Sequence, residues 1–355
     1  MADKQKQDES PRFGDCLIRR RPVQVTDVAD IRPDTSVGPF FLKVNAQVSN
    51  VALTSWIVGQ KKSLKSQLTK YGAILFRGFS VRDMCAFSTF VREMCGEPLD
   101  YHERSSPRSM IHAGIYTSTD YPADQTIYFH NENSYQHSWP QQVTLYCVEA
   151  ARAGGETPLS DIREVTRNIS PAILRRFREK GVLYQRNYGP LLGLPWETAF
   201  QTADREEVNR YCRHAGMEVE WLGADRLRTR QVRRALVRHT ETDEELWFNH
   251  AAFFHVSTLP PTIREALLGA LREEDLPSNS YYGDGTPIED AVLRHIRTAY
   301  EEASGMFTWQ AGDVLVLDNM LVAHARKAYE GNRKIVVSMT NAVRGYWCEL
   351  QLTSE

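Results

Sequence analysis

Apolar and polar positions along the chain change period several times, and each change marks an element. Around Val81-Arg-Asp-Met-Cys-Ala-Phe87 the apolar residues recur at helical spacing, which predicts a helix over about 80–96, and a second helix is predicted over about 53–70. Between them, Tyr71-Gly-Ala-Ile-Leu-Phe-Arg-Gly-Phe79 carries a short apolar run bounded by glycines, which predicts a strand at 72–77. Further strands are predicted at 126–132, 143–148, 313–318 and 333–340. The stretch from Trp309 to His324 has the apolar alternation of a buried strand that ends in polar residues. Residues 164–178 and 203–240 are rich in Arg, Glu and Ala and read as surface helices, with another over 288–302 that ends near Gly305. Periodicity alone gives a mixed helix and strand protein without internal repeats.

Composition narrows the class. The 355 residues are 42% hydrophobic and 25% charged, enough for one large core with insertions. A net charge of −2 with no basic stripe argues against a nucleic-acid partner. No apolar run has the length of a membrane span, and the polar start Met1-Ala-Asp-Lys-Gln-Lys-Gln-Asp-Glu-Ser10 lacks a hydrophobic signal region. Residues 1–30 are therefore expected to be a flexible segment. The six cysteines (16, 85, 95, 147, 212 and 348) contain no Cys-x-x-Cys pair and read as reduced thiols, so a cytoplasmic location is expected.

The candidate chemistry lies in Tyr128-Phe-His-Asn-Glu-Asn-Ser-Tyr135. Residues two apart on a strand share a face, so His130 and Glu132 can grip one metal ion, and the distant His324 can complete the set. Two histidines and one carboxylate on one side of a metal leave the other side open, the arrangement of oxygen-activating non-haem Fe(II) sites. The His-x-Glu tripeptide is common by chance, so its surroundings matter more than its spacing. His250 and His255 lack the spacing of a helical zinc pair and read as structural residues or neighbours of a substrate cavity.

Those surroundings carry a resemblance. Glu103-Arg-Ser-Ser-Pro-Arg108, the iron motif, Trp139-Pro140, the strand Val143-Thr-Leu-Tyr-Cys-Val148, Gly154-Gly-Glu-Thr-Pro-Leu-Ser-Asp161, Gly312-Asp313 and Met339 together resemble the TauD/TfdA superfamily of Fe(II)/2-oxoglutarate dioxygenases. Within it the chain resembles the syringomycin-type, SyrP-like branch, which uses Glu as the carboxylate ligand. The resemblance implies an α+β fold with a double-stranded β-helix (jelly-roll) core. It also implies one domain over 31–355, with a helical insertion at about 164–300. The cofactors implied are Fe(II), 2-oxoglutarate as cosubstrate, and O2. Thr157, in the Gly-Gly-Glu-Thr turn, is implied to help hold the distal carboxylate of 2-oxoglutarate. A basic residue after His324 is implied to pair with that same carboxylate.

Arg333 and Lys334 are the candidates for that pairing. A guanidinium offers a planar fork that matches a carboxylate, whereas an ammonium is a point charge, and this favours Arg333. Arg326 and Arg344 are further possibilities. Arg104, Arg108, Asn131, Arg186, Asn187 and Asn249 are candidate contacts for an anionic or amino-acid-like substrate. The turn-rich segment Arg186–Trp196 suits a lid or a cavity wall. The expected activity is hydroxylation of an amino acid, free or attached to a carrier protein or peptide, in specialised metabolism. Halogenating relatives lack the carboxylate ligand, and Glu132 keeps it here. Desaturation or ring formation on a free amino acid is the alternative outcome, and a non-catalytic metal-binding sensor is the alternative from another class.

Overall fold

The computed structural model describes residues 28–99, 109–112, 114–118, 121–190 and 193–344. Most of the expected flexible segment at 1–30 lies outside these residues, as do Arg104 and Arg108. Two of the five β-sheets among the described residues frame the fold. The larger has eight strands, in the order Ala29–Pro33, Phe41–Ala46, Ala73–Arg77, Val314–Asp318, Ser138–Glu149, Lys334–Arg344, Ile115–Thr117 and Met110–His112. The smaller has four, in the order Ser304–Gly305, Leu159–Asp161, Val322–Arg326 and Ile127–His130.

Successive residues of a strand face opposite ways, and the central strands of the large sheet are covered on both sides. Ala73, Leu75, Leu315 and Leu317 point into the core that extends to the small sheet and to buried residues between Ile162 and Ala303. Ile74, Phe76, Val314 and Val316 point into a second core under the N-terminal helices. That double burial is why these strands read as continuous apolar runs. The helix Met84–Met94 covers the second core with Phe87, Phe90, Val91 and Met94, a single helical stripe. Burying each of these side chains contributes roughly 1.5–3 kcal/mol. The Asp83 carboxylate caps the helix by accepting from the Ala86 N–H at 2.8 Å.

Several boundaries differ from expectation. The helix predicted over 53–70 is two helices, Leu53–Val58 and Lys61–Tyr71, because the chain turns at Gly59 and Gln60. The one predicted over 164–178 is also two, Ile162–Asn168 and Pro171–Lys180. Pro171 starts a helix but cannot continue one, and the Ser170 hydroxyl caps the new start. The largest correction falls in 203–240. Only Arg205–His214 is helical there, and Glu218–Trp221, Leu227–Arg233 and Leu236–Arg238 are strands. Leu227–Arg233 lies between Val182–Tyr188 and Glu218–Trp221 in a separate sheet, where ladder pairing outweighs the helix propensity of its arginines. Arg228 is buried there because its guanidinium is bonded to Asn187, Glu220 and Asp275.

The run from Trp309 to His324 is not one strand. Val314–Asp318 belongs to the large sheet and Val322–Arg326 to the small one, and residues 319–321 carry the chain from one sheet to the other. His324 therefore sits inside the second strand. No helix among the described residues is long and apolar enough to cross a membrane.

Candidate active site

His130 ends the strand Ile127–His130, and His324 lies directly opposite it across the antiparallel pairing with Val322–Arg326. Their ring centroids are 4.4 Å apart. Glu132 arrives differently from expectation: the strand stops at His130, and the carboxylate is supplied by the buried turn that follows, in which Asn133 has a positive φ of 57°. Ligand-type atoms of His130, Glu132 and His324 all lie within 4.8 Å of one another. The His130 Nδ1 is 2.9 Å from the Tyr128 carbonyl oxygen. A carbonyl can only accept, so Nδ1 carries the proton and Nε2 is left with a lone pair for a metal. Two imidazoles and one carboxylate fit Fe(II) and leave coordination positions open.

Asn319 fixes the Glu132 turn. Its Oδ1 accepts from the Glu132 N–H at 2.7 Å, and its Nδ2 donates to the Glu132 and Pro140 carbonyls at 2.9 and 2.8 Å. The Asn131 amide donates to the Asn319 carbonyl at 2.7 Å, so it serves this turn. Next to it, the Asp318 carboxylate accepts from the Met320 N–H at 3.0 Å and from the His239 Nε2–H at 3.1 Å. The His239 Nδ1 accepts from the backbone of Glu241 and Thr242, which places the proton on Nε2. Sequence reasoning missed Asn319, Asp318 and His239. The Asp-Asn pair after an apolar strand was the available signal, because these residues favour bonded turns.

A cavity of about 50 Å³ opens on one side of the ligand set, lined among others by Thr157, His324, Arg326 and Arg333. Arg333 donates from Nε to the Gly155 carbonyl at 3.0 Å. This approach explains the glycine pair: Gly155 has φ +72°, and a Cβ there would lie 3.0 Å from the Arg333 Cδ. Burial, and next the like charge of Arg326, push the Arg333 guanidinium down to about 10. Two guanidinium groups beside one small cavity favour an anion between them. Arg326 already donates to the carbonyls of Tyr121, Pro122 and Gln125, whereas Lys334 is exposed and Arg344 lies at the far end of its strand, opposite Ser138. The Thr157 hydroxyl accepts from the Trp309 Nε1–H at 2.9 Å, which leaves its own proton to donate. Trp309 is set by the loop that Asp313 closes, where Arg77 binds Asp313 through both carboxylate oxygens at 2.9 and 2.6 Å.

A larger cavity, of about 270 Å³, opens on the other side of His130 and Glu132. Its walls include Tyr121, Tyr128, His250, Phe253, Phe254 and Pro260. Among the described residues, the sequence-predicted substrate contacts Asn131, Arg186, Asn187 and Asn249 do not line it. Asn187 is bonded to Arg228 and to the carbonyls of Glu274 and Leu276, and Asn249 to the backbone of Ala235 and Ala251. The buried Arg186 guanidinium lies over the rings of Tyr135, Tyr188 and Phe254, behind this cavity. The expected lid begins inside the strand Val182–Tyr188 and ends at Trp196, which packs into the insertion's own core. His255 bonds Ser257, and burial holds its imidazole down at about 4, which suits a structural role. His250 is the residue that sequence reasoning undervalued. Burial, with His130 and Arg186 nearby, holds it neutral.

The family model described as "Taurine catabolism dioxygenase TauD, TfdA family" matches residues 33–340. The chain is 40% identical over 314 residues to the dapdiamide synthesis protein DdaC of Enterobacter agglomerans, covering 88% of this chain and 95% of that one. It is 28% identical over 297 residues to a clavaminate synthase-like protein of Arabidopsis thaliana, covering 81% and 86%. Among solved structures it is similar to PvcB of Pseudomonas aeruginosa, described as an Fe, alpha-ketoglutarate dependent oxygenase from an isonitrile synthetic pathway. That similarity has a TM-score of 0.55 at 13% identity over 95% of this chain and 98% of that one, and it bears on the fold alone.

Proposed function

The chain belongs to the TauD, TfdA family and is a non-haem Fe(II)/2-oxoglutarate-dependent dioxygenase, and from that premise we propose that it hydroxylates an amino acid, free or carried on a protein or peptide, in specialised metabolism. The role of its relative DdaC in dapdiamide synthesis supports the metabolic setting. The two facing sheets are read as the double-stranded β-helix of the family, in a single domain over 31–355. The stretch at about 164–300 is an insertion that contributes both strands and helices.

The observation that carries this reading is one juxtaposition. His130 and His324 stand opposite each other in register, Glu132 joins them, and Thr157 and Arg333 line the same cavity. His130, Glu132 and His324 would hold the iron, with Asn319 fixing the turn that presents Glu132. Bound Fe(II) and 2-oxoglutarate supply the oxidation, coupling loss of CO2 from the 2-oxo acid to oxygenation of a substrate C–H bond. Arg333 would pair with the distal carboxylate of the cosubstrate, and the Thr157 hydroxyl would donate to it. The aromatic wall on the opposite side would hold the substrate and keep water out. Because Glu132 occupies the carboxylate position, oxygenation is favoured over halogenation.

The test is anaerobic. Fe(II) and then 2-oxoglutarate are added to metal-free protein, and the weak visible charge-transfer band of a chelated 2-oxo acid is recorded. The band is expected in the wild type and absent in His130→Ala. Iron binding without the band would remove the cosubstrate assignment. Succinate release across a panel of amino acids then finds the substrate, and product mass separates hydroxylation from desaturation or ring closure.

A further inference from the structure

His250 is buried against the larger cavity, and its two ring nitrogens have different surroundings. Nδ1 is 2.6 Å from the Ser134 hydroxyl, and both residues are buried. Among the described residues that ring nitrogen is the one hydrogen-bond partner of the hydroxyl. If Nδ1–H donated to Ser134, the hydroxyl proton would be left without an acceptor in the interior, at a cost of about 1–3 kcal/mol. If the hydroxyl donates instead, only lone pairs go unused. The second arrangement is the stable one. Nδ1 therefore accepts, and in a neutral imidazole the proton sits on Nε2.

The ring is held firmly. The His250 backbone N–H donates to the Tyr184 hydroxyl at 2.8 Å, and the rings of Tyr135 and Phe254 each pack with their centroids 4.9 Å from that of His250. Its centroid is 6.2 Å from that of His130, so the edge opposite Ser134 looks into the space next to the metal-ligand set. Among the described residues no hydrogen bond reaches Nε2. A donor that faces a cavity without a protein partner selects a ligand that brings an acceptor.

We infer that His250 is a specificity-determining hydrogen-bond donor, whose Nε2–H receives a carbonyl-type oxygen of the substrate, carboxylate or carboxamide, beside the carbon that reacts. This rests on the amino-acid reading above and adds which end of the substrate the protein recognises. Phe253, Phe254, Leu259 and Pro260 around it would take the apolar part of the same molecule. Ser134 acts through His250 as a positioning residue, because it decides which nitrogen carries the proton.

Two measurements test it. In protein labelled with 15N-histidine and loaded with Zn(II) and 2-oxoglutarate, a long-range 1H–15N correlation reads each tautomer, and the His250 signals are those lost in His250→Gln. A neutral Nε2–H pattern that gives way to a mixture in Ser134→Ala is expected. An Nδ1–H pattern, or an imidazolium, would overturn the inference. In the second, succinate release is followed with matched sets: L-phenylalanine, its carboxamide and phenethylamine, and the leucine equivalents. The acid or the amide is expected to be preferred over the amine, and the choice between them distinguishes carboxylate from carboxamide. That preference should fall at least about tenfold in His250→Phe and be partly kept in His250→Gln, which retains a donor, with the anaerobic band of bound 2-oxoglutarate intact in both. An unchanged preference in His250→Phe sinks the proposal. If no set stimulates the wild type, free phenylalanine and leucine are not substrates, and the tautomer pattern by itself then decides whether His250 is a donor.

Discussion

The two cavities share Ile127, His130 and Glu132 and are otherwise built from different material. The smaller is walled by the sheets and carries Arg326, Arg333 and Thr157; the larger takes Phe253, Phe254, Leu259 and Pro260 from the insertion. One side presents charge at fixed positions, as suits a small dianion, and the other presents rings with a few polar tips. The contrast teaches a division of labour. On the proposed roles, the sheet scaffold would set the cosubstrate chemistry, and the segment around residues 253–260 could change the substrate without disturbing it.

The harshest way to break the comparison is to remove the candidate metal ligands, two of which line both sides. His130→Ala, Glu132→Ala and His324→Ala should each abolish iron-dependent succinate formation while circular dichroism remains that of the wild type. Full turnover in any one of them removes that residue from the ligand set. The next largest effect should fall on one side alone. Truncating one partner of a buried charge pair costs about 2–5 kcal/mol, so Arg333→Ala should raise the KM for 2-oxoglutarate at least about 30-fold. Lys334→Ala should leave it nearly unchanged, since Lys334 is exposed. The reverse order would move the role to Lys334.

Asn319 touches the shared ligand set from behind. Loss of an outer partner of a metal ligand costs about 10- to 100-fold in metal affinity, and Asn319→Ala is expected within that range when Fe(II) binding is titrated without oxygen. Weakened 2-oxoglutarate binding at saturating iron, with iron affinity unchanged, would show that the Glu132 turn does not depend on Asn319.

How far the sequence could be read follows the same line between the two sides. The convergence of His130, Glu132, His324, Thr157 and Arg333 on one cavity was legible because each stands in a short motif whose spacing the sheets require, such as the Gly154-Gly155 turn that Arg333 crosses. The substrate side was not legible. Asn187 and Asn249 looked like cavity amides, but they satisfy buried backbone and arginine groups, and nothing local to a sequence separates those uses. The strands at 218–238 were hidden because arginines that usually mark a solvated helix are here paired within a sheet. His250 was undervalued because its partner, Ser134, is 116 residues away. Asn319 was hidden in the same way, 187 residues from Glu132.

The smallest expected effects sharpen the comparison most, because they ask whether the charged side works as an assembly. Hydrogen bonds to charged groups contribute about 1.5–3 kcal/mol, so Thr157→Val, which keeps the shape and deletes the hydroxyl, should raise the KM for 2-oxoglutarate roughly tenfold. Trp309→Phe leaves that hydroxyl in place and replaces the indole, with the N–H that orients it, by a smaller ring, so its effect should be smaller, about fivefold or less for one neutral hydrogen bond. The decisive variant combines the two. If Trp309 acts through Thr157, the double variant should be no worse than Thr157→Val alone, because the group it orients has already gone. Additive losses would mean that Trp309 supports the cavity by packing against Phe307, whose ring centroid is 4.8 Å away, and that the hydroxyl finds its direction without help.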